Sequence, residues 1–369
     1  MKIDVVLGTR PELIKLAPVI KELNSFRNDI LVSVTLTGQH KDIIDDFLEW
    51  FEITPNVNLE IANNSSDLVR MCAENFVKYN DYIQQNRFDG IIVQGDTSSG
   101  LFSSLSAFYN KIPIFHVEAG LRSHNNMSPF PEEMNRKIIS QISGLHFCPT
   151  QINKDNLLRE GIKPDQIFVT GNTVVDALKF TLDKNLTLNF ESRLQPHSDF
   201  VLITLHRRES WGESLNEILT GIQDSAKANP EFVYVFIMHA NKALKKIVES
   251  HLSGFSNIKL YDPTDYQNMV SLISTSSFIL TDSGGIQEEG VALSKKVLVA
   301  RDETDRPEGV QAGYASLIGR KTLSIRDALN EAIANKEFES HLNKIYGNGD
   351  SAIKISNEII KFLENSIEV

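Results

Sequence analysis

Residues 3–23, Ile3-Asp4-Val5-Val6-Leu7-Gly8-Thr9-Arg10-Pro11-Glu12-Leu13 and on to Leu23, read as a buried strand, a tight turn and an amphipathic helix. The apolar run stops at Gly8, and Pro11 stands where a first-turn proline sacrifices no hydrogen bond. Leu13, Leu16, Ala17, Ile20 and Leu23 then share one helical face.

The same grammar recurs along the chain. Further strand-like runs are Leu31–Leu36, Gly90–Val93, Ile112–Val117 and Ile167–Thr170, then Phe200–Leu205, Phe232–Met238, Asn257–Tyr261, Phe278–Thr281 and Val297–Ala300. Several are continuously apolar, as strands covered on both faces must be. Such alternation predicts an α/β fold of doubly wound parallel sheets, and 369 residues are too many for one ordinary core. The expectation is two Rossmann-like domains, 1–172 and 173–350, with the polar stretch Asp183–Asp199 as the crossover. A last segment, 351–369, carries a helix over about Ser351–Glu364 that packs back on the first domain.

A net charge of −11 argues against a broad surface for nucleic acid or anionic lipid, so any anionic ligand needs a local basic cluster. Cys72 and Cys148 are too few for a disulfide framework and form no CxxC pair, which points to reduced thiols in the cytoplasm. The N-terminal apolar run is too short for a signal peptide, and no segment approaches a membrane span.

In open α/β sheets, ligands bind beyond the carboxyl ends of the strands, so the strand-to-helix junctions carry the chemistry. At the first, Gly8 permits a turn, the helix start offers N–H groups, and Arg10 and Lys15 add positive charge suited to an anion. Asp96 and Glu118 each end a buried strand, in Gln94-Gly95-Asp96-Thr97 and His116-Val117-Glu118-Ala119-Gly120-Leu121-Arg122. A carboxylate there is costly unless paired or functional. Glu132 opens a proline-initiated helix in Pro131-Glu132-Glu133-Met134-Asn135-Arg136. Carboxylates converging on one crevice suit acid/base work, because crowding and burial raise one carboxyl's pKa above another's.

In the second half, His206-Arg207-Arg208-Glu209 follows a buried strand and faces an anion. Thr281-Asp282-Ser283-Gly284-Gly285 combines a strand end, a hydroxyl, two glycines and a helix start, so the amides of Ser283–Gly285 suit a diphosphate. Glu289 lies further along that helix, within reach of a ribose hydroxyl, and Arg306 supplies another cation. There is no GxGxxG and no Tyr-x-x-x-Lys, so no nicotinamide cofactor is expected; no metal-ligand spacing occurs either.

Taken in order, these motifs resemble the non-hydrolysing UDP-N-acetylglucosamine 2-epimerase family. The likeness also draws on Thr37-Gly38-Gln39-His40, Gly171-Asn172-Thr173-Val174-Val175-Asp176 and Arg306-Pro307-Glu308, and spans residues 3 to about 318. It implies a glycosyltransferase-B-like architecture, two Rossmann-like domains facing a cleft, as a homodimer. It implies C2 inversion of UDP-N-acetylglucosamine to UDP-N-acetylmannosamine, by UDP elimination to a 2-acetamidoglucal and re-addition, for surface polysaccharide. By motif match Asp96, Glu118 and Glu132 are the catalytic carboxylates, and His206 serves the diphosphate or proton transfer. Arg10, Lys15, Ser283, Gly284, Gly285, Glu289 and Arg306 would hold the UDP-sugar. A second UDP-N-acetylglucosamine would bind as activator at Gln39, His40, Arg70, Arg207 and His239. Met238-His239-Ala240-Asn241-Lys242 departs from the family's His-x-Asn-Pro there, and Ser123 replaces a common threonine. The rival readings are a hydrolysing 2-epimerase, the same chemistry on a modified UDP-2-acetamido sugar, a glycosyltransferase of this fold, and a non-catalytic nucleotide-sugar sensor. Arg10-Pro11-Glu12 favours the non-hydrolysing branch over the hydrolysing one.

Overall fold

The computed structural model describes residues 1–26, 29–38, 41–61, 68–184, 199–207, 211–335 and 341–367. Contacts divide the chain into two compact units, Met1–Ala177 with Tyr346–Val369, and Leu178–Ile345. Most of the stretch read as the crossover, 185–198, lies outside the described residues.

The first unit runs β1 (Lys2–Leu7), α1 (Arg10–Ser25), β2 (Leu31–Leu36), α2 (Lys41–Trp50), β3 (Val57–Asn58), α3 (Leu68–Asn86), β4 (Gly90–Gln94) and α4 (Ser98–Tyr109). It continues with β5 (Ile114–Val117), α5 (Glu132–Ile142), β6 (Leu145–Cys148), α6 (Gln151–Arg159) and β7 (Ile167–Val169), and α7 (Thr173–Asp183) begins in it and runs on past Ala177. Its strands are all parallel, in the order β3-β2-β1-β4-β5-β6-β7. The helical face predicted for α1 is buried: Leu13, Leu16, Ala17 and Leu23 are fully covered and Ile20 nearly so.

The second unit holds β8 (Phe200–Thr204), α8 (Glu213–Ala228), β9 (Val233–Ile237), α9 (Lys242–Leu252), β10 (Ile258–Tyr261) and α10 (Tyr266–Thr275). Then come β11 (Phe278–Thr281), α11 (Gly284–Ala292), β12 (Lys296–Val299), α12 (Pro307–Gln311), β13 (Ala315–Leu317) and α13 (Thr322–Ala334). Its parallel order is β10-β9-β8-β11-β12-β13, the Rossmann order once more. Every residue of β8 and β11 is buried, and Ile203, Phe236 and Leu280 pack with Ile218 and Ile222 of α8 in one core.

Sequence periodicity misses β3, β6 and β13. The first and last have two and three residues, and β6 (Leu-His-Phe-Cys) places a histidine inside a strand that is buried throughout. β5 begins two residues later than its apolar run, after Pro113, which has no N–H to give a ladder.

Tyr346–Val369 is held to the first unit by specific bonds. The Asn172 N–H donates to the Tyr346 carbonyl at 2.7 Å, and Asp176 Oδ1 accepts from the Ala352 N–H at 3.0 Å, at the start of α14 (Ser351–Ile367). Gly171 has φ +94, and a Cβ on it would stand 2.6 Å from Ser351 Oγ, so only glycine serves there. α14 packs along α1, and its Phe362 meets Phe115 edge-on at 5.5 Å.

One core group is acidic. Asp4, in the middle of β1, is fully buried and accepts from Thr35 Oγ1 on β2 and the Tyr79 hydroxyl on α3, both at 2.9 Å. Burial pushes its carboxyl up to about 6, against the hydrogen bonds from Thr35 and Tyr79. Because the folded pKa lies above the unfolded one, this group favours folding fully below pH 3.8 and loses that contribution as pH rises through about 6. Asp4→Asn mimics the protonated form, since the amide accepts from Thr35 and donates to Tyr79. The variant is expected to gain up to about 3 kcal/mol at pH 8 and nothing at pH 4, read by urea unfolding at the two pH values.

Candidate active site

In the first unit β1 and β4 are neighbours, and the chain leaves them for helices in opposite directions along the sheet, which opens a crevice at their carboxyl ends. Gly8 closes β1 where a Cβ would lie 2.4 Å from Ser99 Oγ and 2.9 Å from Thr37 Oγ1. No side chain fits between that turn and α4. Glu12, fully buried on α1, accepts from the Gly8 N–H at 2.9 Å and Thr9 Oγ1 at 2.8 Å through one oxygen. Its other oxygen accepts from Thr97 Oγ1 at 2.6 Å. Burial pushes the Glu12 carboxyl up to about 7, opposed by Thr97, Thr9 and Gly8.

Asp96 follows β4 and is partly exposed. Its carboxylate pairs with Arg136 on α5, and its carbonyl accepts from Asn135 Nδ2 at 2.9 Å. The preceding Gly95 (φ +67) is pinned on both sides, its N–H to the Val117 carbonyl and its carbonyl to His116 Nε2 at 2.8 Å. His116 is fully buried, and burial, with His146 beside it, holds it down at about 3, so it stays neutral and donates through Nε2.

Glu118 follows β5 with φ +62, a left-handed conformation that costs a non-glycine residue about 1–3 kcal/mol. Lys15 Nζ and Gln94 Nε2 both donate to its Oε2, and all three side chains are buried. Lys15, expected on an anion, thus stands on Glu118. Glu132 begins α5, half-buried, just after the cis peptides Ser128-Pro129 and Phe130-Pro131. The loop before it is shaped by Glu133, which accepts from the Ser123 and His124 N–H groups at 3.0 and 3.2 Å. Arg122 is spent on a bidentate pair with Glu160 at 2.7 and 2.6 Å. Arg10 is exposed, its guanidinium 5.7 Å from the centre of the Phe47 ring.

The second unit solves the same junction differently. Asp282, buried after β11, accepts from the His206 N–H at 2.8 Å and the Arg207 N–H at 3.0 Å, beyond β8. Thr204 and Thr281 share a hydroxyl bond of 2.7 Å between the same two strands. The Ser283 N–H donates to Thr281 Oγ1 at 3.0 Å. Gly284 and Gly285 open α11 without positive φ, so the turn is a helix N-terminus and not an alternating nest. Its first intrahelical bond is Gln287 N–H to Ser283 O, which leaves the amides of Gly284, Gly285 and Ile286 ahead of the ladder, at the positive end of the dipole.

Arg306 covers that end. A Cβ on Gly284 would lie 2.8 Å from its guanidinium, whereas one on Gly285 would meet nothing within 4 Å. Its Nε donates to Glu288 at 2.7 Å and an NH group to Asp305 at 2.7 Å. Glu289 is buried in α11. The His206 ring lies 5.6 Å from that of His239, which also meets Trp211 edge-on at 6.1 Å. The Asn241 N–H donates to His239 Nδ1 at 2.9 Å, and Asn241 caps α9. Arg70 is exposed on α3, and Arg207 is half-buried. Gln39, His40, Arg208 and Glu209 lie outside the described residues.

Sequence reasoning passed over Glu12, Gln94, Arg136, Asp282 and Glu288 as functional groups. Acid in a helix's first turn normally answers the dipole, which hides Glu12; Asp282 and Arg136 fall within motifs, but only their contacts reveal what they hold. Among the described residues no group of three His, Cys, Asp or Glu side chains is placed to hold a metal, and no helix is long and apolar enough to cross a membrane.

Residues 22–360 match the UDP-N-acetylglucosamine 2-epimerase family. The UDP-N-acetylglucosamine 2-epimerase of Neisseria meningitidis is 40% identical, over 98% of this chain and 100% of its own. A crystal structure of UDP-GlcNAc 2-epimerase from Neisseria meningitidis bound to UDP-GlcNAc superposes with TM-score 0.92 at 40% identity, covering 98% of this chain and 100% of that one. The Methanocaldococcus jannaschii UDP-GlcNAc 2-epimerase in complex with UDP-GlcNAc and UDP gives 0.85 at 33% identity, with 98% and 100% covered.

The crowding at Gly8 is open to a direct check. Gly8→Ala is expected to cost about 1–3 kcal/mol and lower the melting temperature. Adding Ser99→Gly removes both closest atoms and should recover most of that loss in the same thermal scan.

Proposed function

The chain belongs to the UDP-N-acetylglucosamine 2-epimerase family and is an isomerase; from that premise we propose that it interconverts UDP-N-acetylglucosamine and UDP-N-acetylmannosamine by elimination and re-addition of UDP. The C2 proton sits on a carbon with no carbonyl beside it, so simple abstraction and return is too slow. Removing that proton while the C1–O bond breaks expels UDP and leaves a 2-acetamidoglucal. UDP oxygen then attacks C1 as a proton arrives on the opposite face of C2.

The observation that carries this reading is the set of acids in the first unit, each at a strand end or helix start. Asp96 stands against Arg136, and Glu118 is held strained against Lys15 and Gln94; with Glu132 they are the proton-transfer groups. In the second unit, the amides that open α11 and the guanidinium of Arg306 suit the departing diphosphate, with His206 beside them in role. Arg10, Lys15, Ser283 and Glu289 complete the residues assigned to the UDP-sugar. The route needs no redox step and no cofactor.

The same reading carries the activating second UDP-N-acetylglucosamine, through Arg70, Arg207 and His239, together with Gln39 and His40. It also carries a cytoplasmic site of action, in keeping with the free and buried Cys72 and Cys148, and a product destined for surface polysaccharide. A homodimer is part of it: α3 and α4 pack together, and Val77, Phe108 and Tyr109 on them are 55%, 50% and 72% exposed, an apolar face suited to a second copy. Tyr109→Glu is expected to shift the protein from dimer to monomer in sedimentation; an unchanged sedimentation coefficient counts against this face.

Incubation with UDP-N-acetylglucosamine in deuterated water, followed by NMR, should put deuterium at C2 and reach a mixture of two UDP-sugars. Free N-acetylmannosamine formed with UDP would instead mark a hydrolase, and no exchange without an acceptor a transferase. Asp96→Asn and Glu118→Gln should each lower exchange by about 100-fold or more while UDP still binds.

A further inference from the structure

We propose that Glu12 is a positioning residue for this reaction, its buried side chain fixing the Asp96-Thr97 turn against the Gly8–Arg10 turn. The inference rests on the reading of Asp96 as a proton-transfer group and extends it to a residue that touches no substrate.

The geometry joins two junctions through one side chain. Glu12 Oε2 gathers the Gly8 N–H and the Thr9 hydroxyl, and Oε1 takes the Thr97 hydroxyl at 2.6 Å. Thr97 comes directly after Asp96, and its Oγ1 accepts from the Gly100 N–H at 2.9 Å, capping α4. Asp96 is fastened to α5 through Arg136 and Asn135. Glu12 adds the other anchor, to β1 and α1. Without it, nothing described ties Thr97 Oγ1 to the β1 turn.

Stability alone gives no reason for a carboxylate here. Burial raises the Glu12 carboxyl to about 7 despite three donors, so as pH rises through about 7 its ionised form is held at a cost to folding. A group that costs stability and is spent wholly on the junction beside a reacting acid fits the general conflict between stability and activity. Glutamine shows why an isostere fails. Its oxygen still serves Gly8 and Thr9, but its NH2 meets Thr97 Oγ1, whose own proton then has no acceptor on that side.

The test sets activity against stability. In Glu12→Gln at pH 8 the melting temperature should hold or rise and UDP affinity, by calorimetry, stay within about twofold, while kcat for C2 deuterium exchange falls about tenfold or more with little change in KM. Thr97→Ser should keep kcat, and Thr97→Val should lose it as Glu12→Gln does. This second pair decides the matter if Glu12→Gln does not fold. Wild-type kcat in Glu12→Gln, or a loss that tracks an equal loss of stability and UDP binding, overturns the proposal. Asp96→Asn, run alongside, separates the two readings: if it is dead while Glu12→Gln is normal, only the positioning role falls. If Asp96→Asn turns over normally, the acid/base assignment itself is wrong.

Discussion

The placement of the junction turns depends on one recurring constraint, a carboxylate withdrawn from water where a parallel sheet changes winding direction. Strand ends there present backbone N–H groups with no ladder partner, and something must answer them. In the first unit Glu12 takes the Gly8 N–H with two hydroxyls; in the second Asp282 takes the His206 and Arg207 N–H groups. The two acids come from different places, a first helix and a fourth strand's exit. Each ties the first strand's end to a neighbouring element, and Asp96 and His206 are carried on the turns so fixed.

Three of the cations near those turns are already matched. Lys15 stands on Glu118, Arg136 on Asp96 and Glu133, and Arg306 on Glu288 and Asp305. In a chain of net charge −11 this arrangement keeps basic groups fixed without an exposed positive field. It also sets their geometry through contacts within the protein. The left-handed Glu118 belongs to the same economy of design: a strained backbone is tolerated because two buried donors hold its carboxylate.

Much of this was legible beforehand, for identifiable reasons. Central parallel strands are apolar on both faces, so β1, β8 and β11 announce themselves, and α1 shows its face through Leu13, Leu16 and Ile20. Edge elements do not: β3 and β13 are too short to carry a period, and β6 hides behind His146. Polar residues at junctions were easy to find, but their partners were not. Nothing in the sequence pairs Lys15 with Glu118 or the Ser283 N–H with Thr281 Oγ1, yet both contacts shape their junctions. Sequence order names the residues at a strand end. Only three-dimensional neighbours say which of them face a ligand and which face each other.

The first unit is discontinuous in sequence, because Tyr346–Val369 returns to it after the whole of Leu178–Ile345. On a ribosome, therefore, the inserted unit has all its residues before its host does. Until α14 emerges, the side of α1 it covers and the ring of Phe115 stay uncapped, an apolar surface open to wrong partners. The nascent chain thus assembles its middle before its beginning is finished, and the last helix acts as the clasp that ends this vulnerable interval.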